Sequence, residues 1–121
     1  MKRTEAPEVQ VAGIPFAHNS HPMWVFDRET LEFLDVNDAA VAKYGYSRDE
    51  FLKMRITDIR PPEDVPELIR SASHFAGPTT GAQWRHRARD GRVFAVAITS
   101  WELIFNGRPA ELILARGEKA P

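Results

Sequence analysis

Trp84-Arg85-His86-Arg87-Ala88-Arg89-Asp90-Gly91, running on into Arg92-Val93-Phe94-Ala95-Val96-Ala97-Ile98, decides how this chain folds. Trp84, His86 and Ala88 alternate with Arg85, Arg87 and Arg89, the period-two pattern of a half-solvated strand. Asp90-Gly91 is a two-residue hairpin signal. Beyond it, Arg92 to Phe105 reads as a long strand, Asn106-Gly107 as a second hairpin, and Ala110 to Arg116 as the last strand. The C-terminal part is therefore a three-stranded meander. Alternation places Trp84 and His86 on one face, with Phe94, Val96 and Ile98 joining them from the next strand. Ala95, Ala97, Thr99 and Trp101 face the other way, which predicts an exposed Trp101 unless residues 9–17 cover it.

Upstream the pattern changes to helices. Pro61-Pro62-Glu63-Asp64 opens a helix whose apolar face is Val65, Leu68, Ile69, Ala72 and Phe75, and Gly77-Pro78 ends it. Ser47-Arg48-Asp49-Glu50 is a capping box ahead of Phe51, Leu52 and Met54. Asn37 and Asp38 offer N-cap side chains to Ala39–Tyr44, and Gly45 fits the left-handed position that ends that helix. Further back, Met23–Asp27 and Leu31–Val36 form a hairpin through Arg28-Glu29-Thr30. Two strands, a helical middle and a meander make a segregated α+β domain, an antiparallel sheet with helices on one face. The boundaries are a flexible leader over 1–11, a domain over 12–116 and a flexible tail over 117–121; Val9 to Ala17, broken by Gly13 and Pro15, makes at most a short helical cap.

The chain has 121 residues, 43% apolar and 27% charged, with a formal net charge of −1, which suits one soluble globular domain. No global basic field exists to hold nucleic acid. Arg85, Arg87, Arg89 and Arg92 read as a solvated, edge-protecting face without an aromatic stacking set. With no cysteine, a disulfide scaffold, a thiolate metal site and a Cys nucleophile are all excluded. No apolar run approaches the ~20 residues of a membrane span, and the first residues lack a signal-peptide core, so a cytoplasmic location is expected.

Candidate chemistry is sparse. The four histidines are His18, His21, His74 and His86, and no carboxylate joins His18 and His21 into a zinc set. No glycine-rich phosphate loop and no nucleophile elbow occurs, so an enzyme is not suggested.

This order of elements and its motifs resemble the PAS sensory family. The resemblance covers His21 to about Ala115. It rests on His21-Pro22-Met23-Trp24-Val25-Phe26-Asp27, Val36-Asn37-Asp38-Ala39-Ala40, Tyr44-Gly45-Tyr46-Ser47-Arg48-Asp49-Glu50-Phe51-Leu52 and Trp84 to Gly91 taken together. It implies the PAS fold, a five-stranded antiparallel sheet in the order 2-1-5-4-3 with helices closing a pocket over one face. It also implies a regulatory module that binds a small ligand or a partner, acts as a homodimer and controls a kinase, cyclase or other output domain.

The ligand-binding set expected on this basis is Trp24, Phe26, Trp84, His86, Phe94, Val96 and Ile98, closed by Ile56, Ile59, Leu68, Ile69 and Ala72. The alternative is that the bulky rings simply fill the core, leaving a protein-interaction module without a ligand. The cofactor is unknown. Flavin-binding light sensors of this family carry polar amides at the positions of His86, Val96 and Ala115; here only His86 is polar, and the flavin–cysteine photoadduct is excluded. Haem, which some members ligate from the long helix, is not expected, because His74 lies six residues after Leu68 and off its apolar stripe. The Asp-X-Thr signature that commonly ends the family's last strand is replaced by Leu114-Ala115-Arg116-Gly117.

Overall fold

The computed structural model describes residues 10–11, 14–73 and 79–117. Five strands form one antiparallel sheet: β1 (Met23–Asp27), β2 (Phe33–Val36), β3 (Thr79–Arg87), β4 (Val93–Phe105) and β5 (Arg108–Gly117). Their spatial order is β2-β1-β5-β4-β3, the predicted 2-1-5-4-3. The meander closes through Asn106-Gly107, whose φ values of +52° and +81° suit the twist of a two-residue hairpin. Beyond an irregularity between Thr79 and Ala82 the predicted alternation holds: Trp84 pairs with Val96 and His86 with Phe94.

Between β2 and β3 lie α1 (Asp38–Tyr44), α2 (Arg48–Phe51), 3-10 turns at Ile56–Ile59 and Pro62–Asp64, and α3 (Val65–Ser73). The helix boundaries are those the capping residues specify. Asn37 caps α1 by accepting from the Ala40 amide, and Gly45 ends it at φ +87°. Ser47 and Glu50 form the expected capping box on α2.

The sheet is apolar on both faces. Its inner face, with Trp24, Phe26, Phe94, Val96, Ile98 and Ile113, packs against Tyr44, Phe51, Ile56, Ile59 and Leu68 from the helical middle. The outer face carries Met23, Val25, Leu112 and Leu114, and Phe16 packs on them from a 3-10 turn at Phe16–His18. A two-residue ladder pairs Gln10–Val11 with Ile14–Pro15 ahead of that turn, where a helical cap was predicted.

Two expectations are corrected. Trp101 is half-buried, not exposed, because it packs against the outer cluster that contains Phe16. Ile69 is 47% exposed and does not close the pocket, while Leu68 is buried in the core; the Ala72 side chain lies outside the described residues. The basic strand is solvated as expected, with Arg85, Arg89 and Arg92 exposed, and it is also ion-paired: Arg85 bonds Asp64 and Glu63, and Arg89 bonds both oxygens of Glu50. His74 and Phe75 lie outside the described residues.

One buried carboxylate sits at the far end of the inner face. Glu111 on β5 stands directly opposite Glu102 on β4, with Arg28 3.3 Å from Glu102 and 3.7 Å from Glu111. Burial pushes the Glu111 carboxyl up to about 7, with Arg28 opposing and Glu102 adding to the rise. The folded state thus holds this proton more tightly than the unfolded chain does. Its contribution to stability is full below about pH 4.5, the ordinary value, and is lost as the pH rises through about 7. Glu111→Gln is expected to stabilise the protein at pH 8 by about 1–3 kcal/mol and leave pH 5 nearly unchanged. Thermal unfolding of both proteins at the two pH values checks this; an equal effect at pH 5 and pH 8 contradicts it.

Candidate functional site

The last turn of α1 lays Tyr44 onto the sheet, because Asn37 and Gly45 set where that helix begins and ends. Its hydroxyl meets Nδ1 of His86 at 2.5 Å, with both side chains buried. Trp24 stands edge-on to Tyr44 at 5.6 Å and tilted against His86 at 5.5 Å, and Phe94 closes on Tyr44 at 5.4 Å. The imidazole is therefore boxed by three rings and is 0% exposed. Its Nε2 has no hydrogen-bond partner among the described residues. Burial, and next the nearby Arg60 charge, hold the His86 pKa well below its ordinary value. The ring is neutral at pH 7. Burial pushes the Tyr44 hydroxyl up, so it keeps its proton, and Nδ1 is the one acceptor it meets among the described residues. We assign the remaining His86 proton to Nε2 on that ground.

Arg60 follows the Ile56–Ile59 turn, and its guanidinium lies 4.6 Å from the centre of the Trp84 ring. It is 6% exposed, and its Nε and Nη1 lack partners among the described residues. Burial lowers its pKa to about 10, with Tyr44 and Asp64 opposing, so it remains a cation at neutral pH. Asp64 is occupied elsewhere. Both its oxygens face Arg85, at 3.0 and 2.8 Å. The site thus combines a neutral imidazole, a buried cation and an aromatic box, which can hold and orient a ligand. It offers no nucleophile–base pair.

No family model matches the chain, and no curated protein matches it either. Solved structures do. A PAS domain from a two-component sensor histidine kinase superposes with a TM-score of 0.70 at 25% identity, over 84% of this chain and 88% of its own. A domain of a sensory box sensor histidine kinase/response regulator from Geobacter sulfurreducens gives 0.70 at 27% identity, over 84% and 86%. The chain has the PAS fold. A further PAS domain, from Desulfitobacterium hafniense, shares the fold at a TM-score of 0.77 and 18% identity, over 84% of this chain and 96% of its own.

On this PAS fold the seven predicted site residues share the inner face. Trp24, Phe26, His86, Phe94, Val96 and Ile98 are buried, and Trp84 is half-buried against the same cluster. Among them His86 meets Trp24 and Phe94 with ring centres 5.5 and 6.4 Å apart. Two contributors were missed at the sequence level, Tyr44 and Arg60. In the sequence Tyr44 reads as the end of a helix and as part of the resembling motif, with no sign of its contact with His86. Arg60 stands between Ile59 and Pro61, both buried, and an arginine flanked by buried residues was the available signal. Among the described residues no group of three or more His, Asp or Glu side chains could hold a metal, and no helix is long and apolar enough to cross a membrane.

Proposed function

We propose that this PAS domain senses a small ligand through the inner-face set Trp24, Phe26, Trp84, His86, Phe94, Val96 and Ile98, and regulates an attached or associated output module. The observation that carries the reading is His86, fully buried with Nε2 unpartnered. An unmet donor of that kind costs roughly 1–3 kcal/mol, and a ligand acceptor would recover it. The sensor-kinase context of two similar PAS structures supports a kinase as the output. A cytoplasmic, non-catalytic homodimer completes the reading.

A specific observation favours a second reading. The inner face is filled by rings in mutual contact, Trp24 with Phe33 at 5.9 Å and Phe33 with Phe51 at 5.0 Å, which suits an interaction module without a ligand. Native mass spectrometry of the purified protein separates the two. Ligand sensing is expected to show a bound mass that His86→Ala loses while the fold survives. A bare protein mass, with His86→Ala altering only the melting temperature, would establish the interaction module.

A further inference from the structure

We propose that the ligand's recognised group is a carboxylate, seated between the Arg60 guanidinium and Nε2 of His86. This rests on the ligand-sensing reading and adds the chemical class. Both groups are nine-tenths or more buried, and both carry nitrogen atoms without partners among the described residues. All of these atoms are donors. A guanidinium has no acceptor, and His86 Nδ1 is already taken by the Tyr44 hydroxyl. Two donor groups cannot satisfy each other, and the Arg60 charge is felt at His86, so one acceptor placed between them would serve both. A buried cation also needs a counter-charge. Asp64 does not supply a private one, because Arg85 engages both its oxygens. One cation beside one neutral imidazole matches a single negative charge, which favours a monocarboxylate over a doubly charged phosphate. The surrounding Trp24, Phe94 and Trp84 rings favour an aromatic or aliphatic body behind that group. A cleft of about 230 Å³ lined by Asp64, Glu67, Gln83, Trp84, Arg85 and Ala95 lies beside Trp84, the residue on whose ring Arg60 stacks.

The test uses the whole chain with sodium benzoate as probe, benzamide as its neutral counterpart, and sodium phosphate and sodium chloride at matched ionic strength. Benzoate is expected to raise the melting temperature and give a calorimetric isotherm, with benzamide, phosphate and chloride at least tenfold weaker. Arg60→Met keeps an unbranched side chain over Trp84 and removes the charge. It is expected to weaken benzoate at least tenfold, while the unliganded variant melts no lower than the wild type, since a buried unpaired charge has been replaced by an apolar group. Phosphate binding as tightly as benzoate through Arg60 would overturn the carboxylate assignment. So would benzoate binding that survives Arg60→Met, or an unliganded Arg60→Met that melts well below the wild type. Benzamide binding that depends on His86 and not on Arg60 would overturn it too, yet leave ligand sensing standing. If no probe binds and the protein also carries no mass of its own, both readings fall together.

Discussion

Asn37→Ala is expected to lower the unfolding free energy by about 3–5 kcal/mol, the sum of a lost helix cap and several orphaned buried groups. The side chain is 2% exposed and joins three segments. Its Oδ1 accepts from the Met23 amide at 3.0 Å, where β1 begins, and from the Ala40 amide at 3.0 Å, where α1 begins. Its Nδ2 donates to the Phe16 and His21 carbonyls at 3.0 Å, tying down the segment that covers the outer face. The backbone adds to the joint, with the Asn37 amide donating to the Met23 carbonyl at 3.0 Å. Alanine would leave two amides and two carbonyls without these partners, and little room for water to replace the amide. Asn37→Asp keeps the acceptor but turns a carboxylate toward two carbonyl oxygens, so it is expected to recover less than half of the loss. Urea unfolding of the three proteins measures this. A loss below about 1 kcal/mol for Asn37→Ala, the value of an ordinary cap, would show that the joint is not cooperative.

Trp24→Ala is expected to cost about 3–5 kcal/mol, the range for removing a large buried aromatic side chain. The indole is 1% exposed and touches Phe33, Tyr44 and His86 with ring centres 5.5–5.9 Å apart. Those three rings are held by β2, α1 and β3, so the walls cannot collapse fully into the space. A void with mostly apolar walls takes up small aromatic molecules. Free indole is therefore expected to raise the melting temperature of Trp24→Ala and leave the wild type unchanged. The same comparison informs the functional reading, since a wild-type response to indole would place free space beside Trp24 and weaken the filled-core alternative.

Much of the architecture was legible because strands and caps are local devices. Side-chain direction along a strand has a period of two, so Trp84, His86, Phe94, Val96 and Ile98 could be assigned to one face without knowing what covered it. Asn37, Gly45, Ser47 and Glu50 act within four residues of the helix ends they define, so those boundaries were equally readable. The misreadings occur where the outcome depends on a distant segment. Neighbours on a helix point about 100° apart, so the single contact stripe of α3 could take Leu68 and leave Ile69 outside. Trp101 has the predicted parity, but it packs against a cluster that includes Phe16, 85 residues earlier in the chain.

The sequence by itself determined the element order, the helix ends, the faces of the strands and the PAS resemblance, because each follows from interactions within a few residues. Only the tertiary structure decided the polar chemistry at the centre. His86 lies 42 residues from Tyr44, and no pattern in either segment announces that their side chains meet at 2.5 Å. Arg60 and Trp84 come from a turn and an edge strand, and their stacking is a product of how the helical middle settles on the sheet. The same is true of the Asn37 joint, where one amide satisfies carbonyls 21 and 16 residues away. The physical reason is that burial makes a polar group's state depend on every neighbour at once. A histidine, an arginine and a tyrosine that would titrate ordinarily in water become here a neutral donor, a confined cation and a proton-bearing hydroxyl.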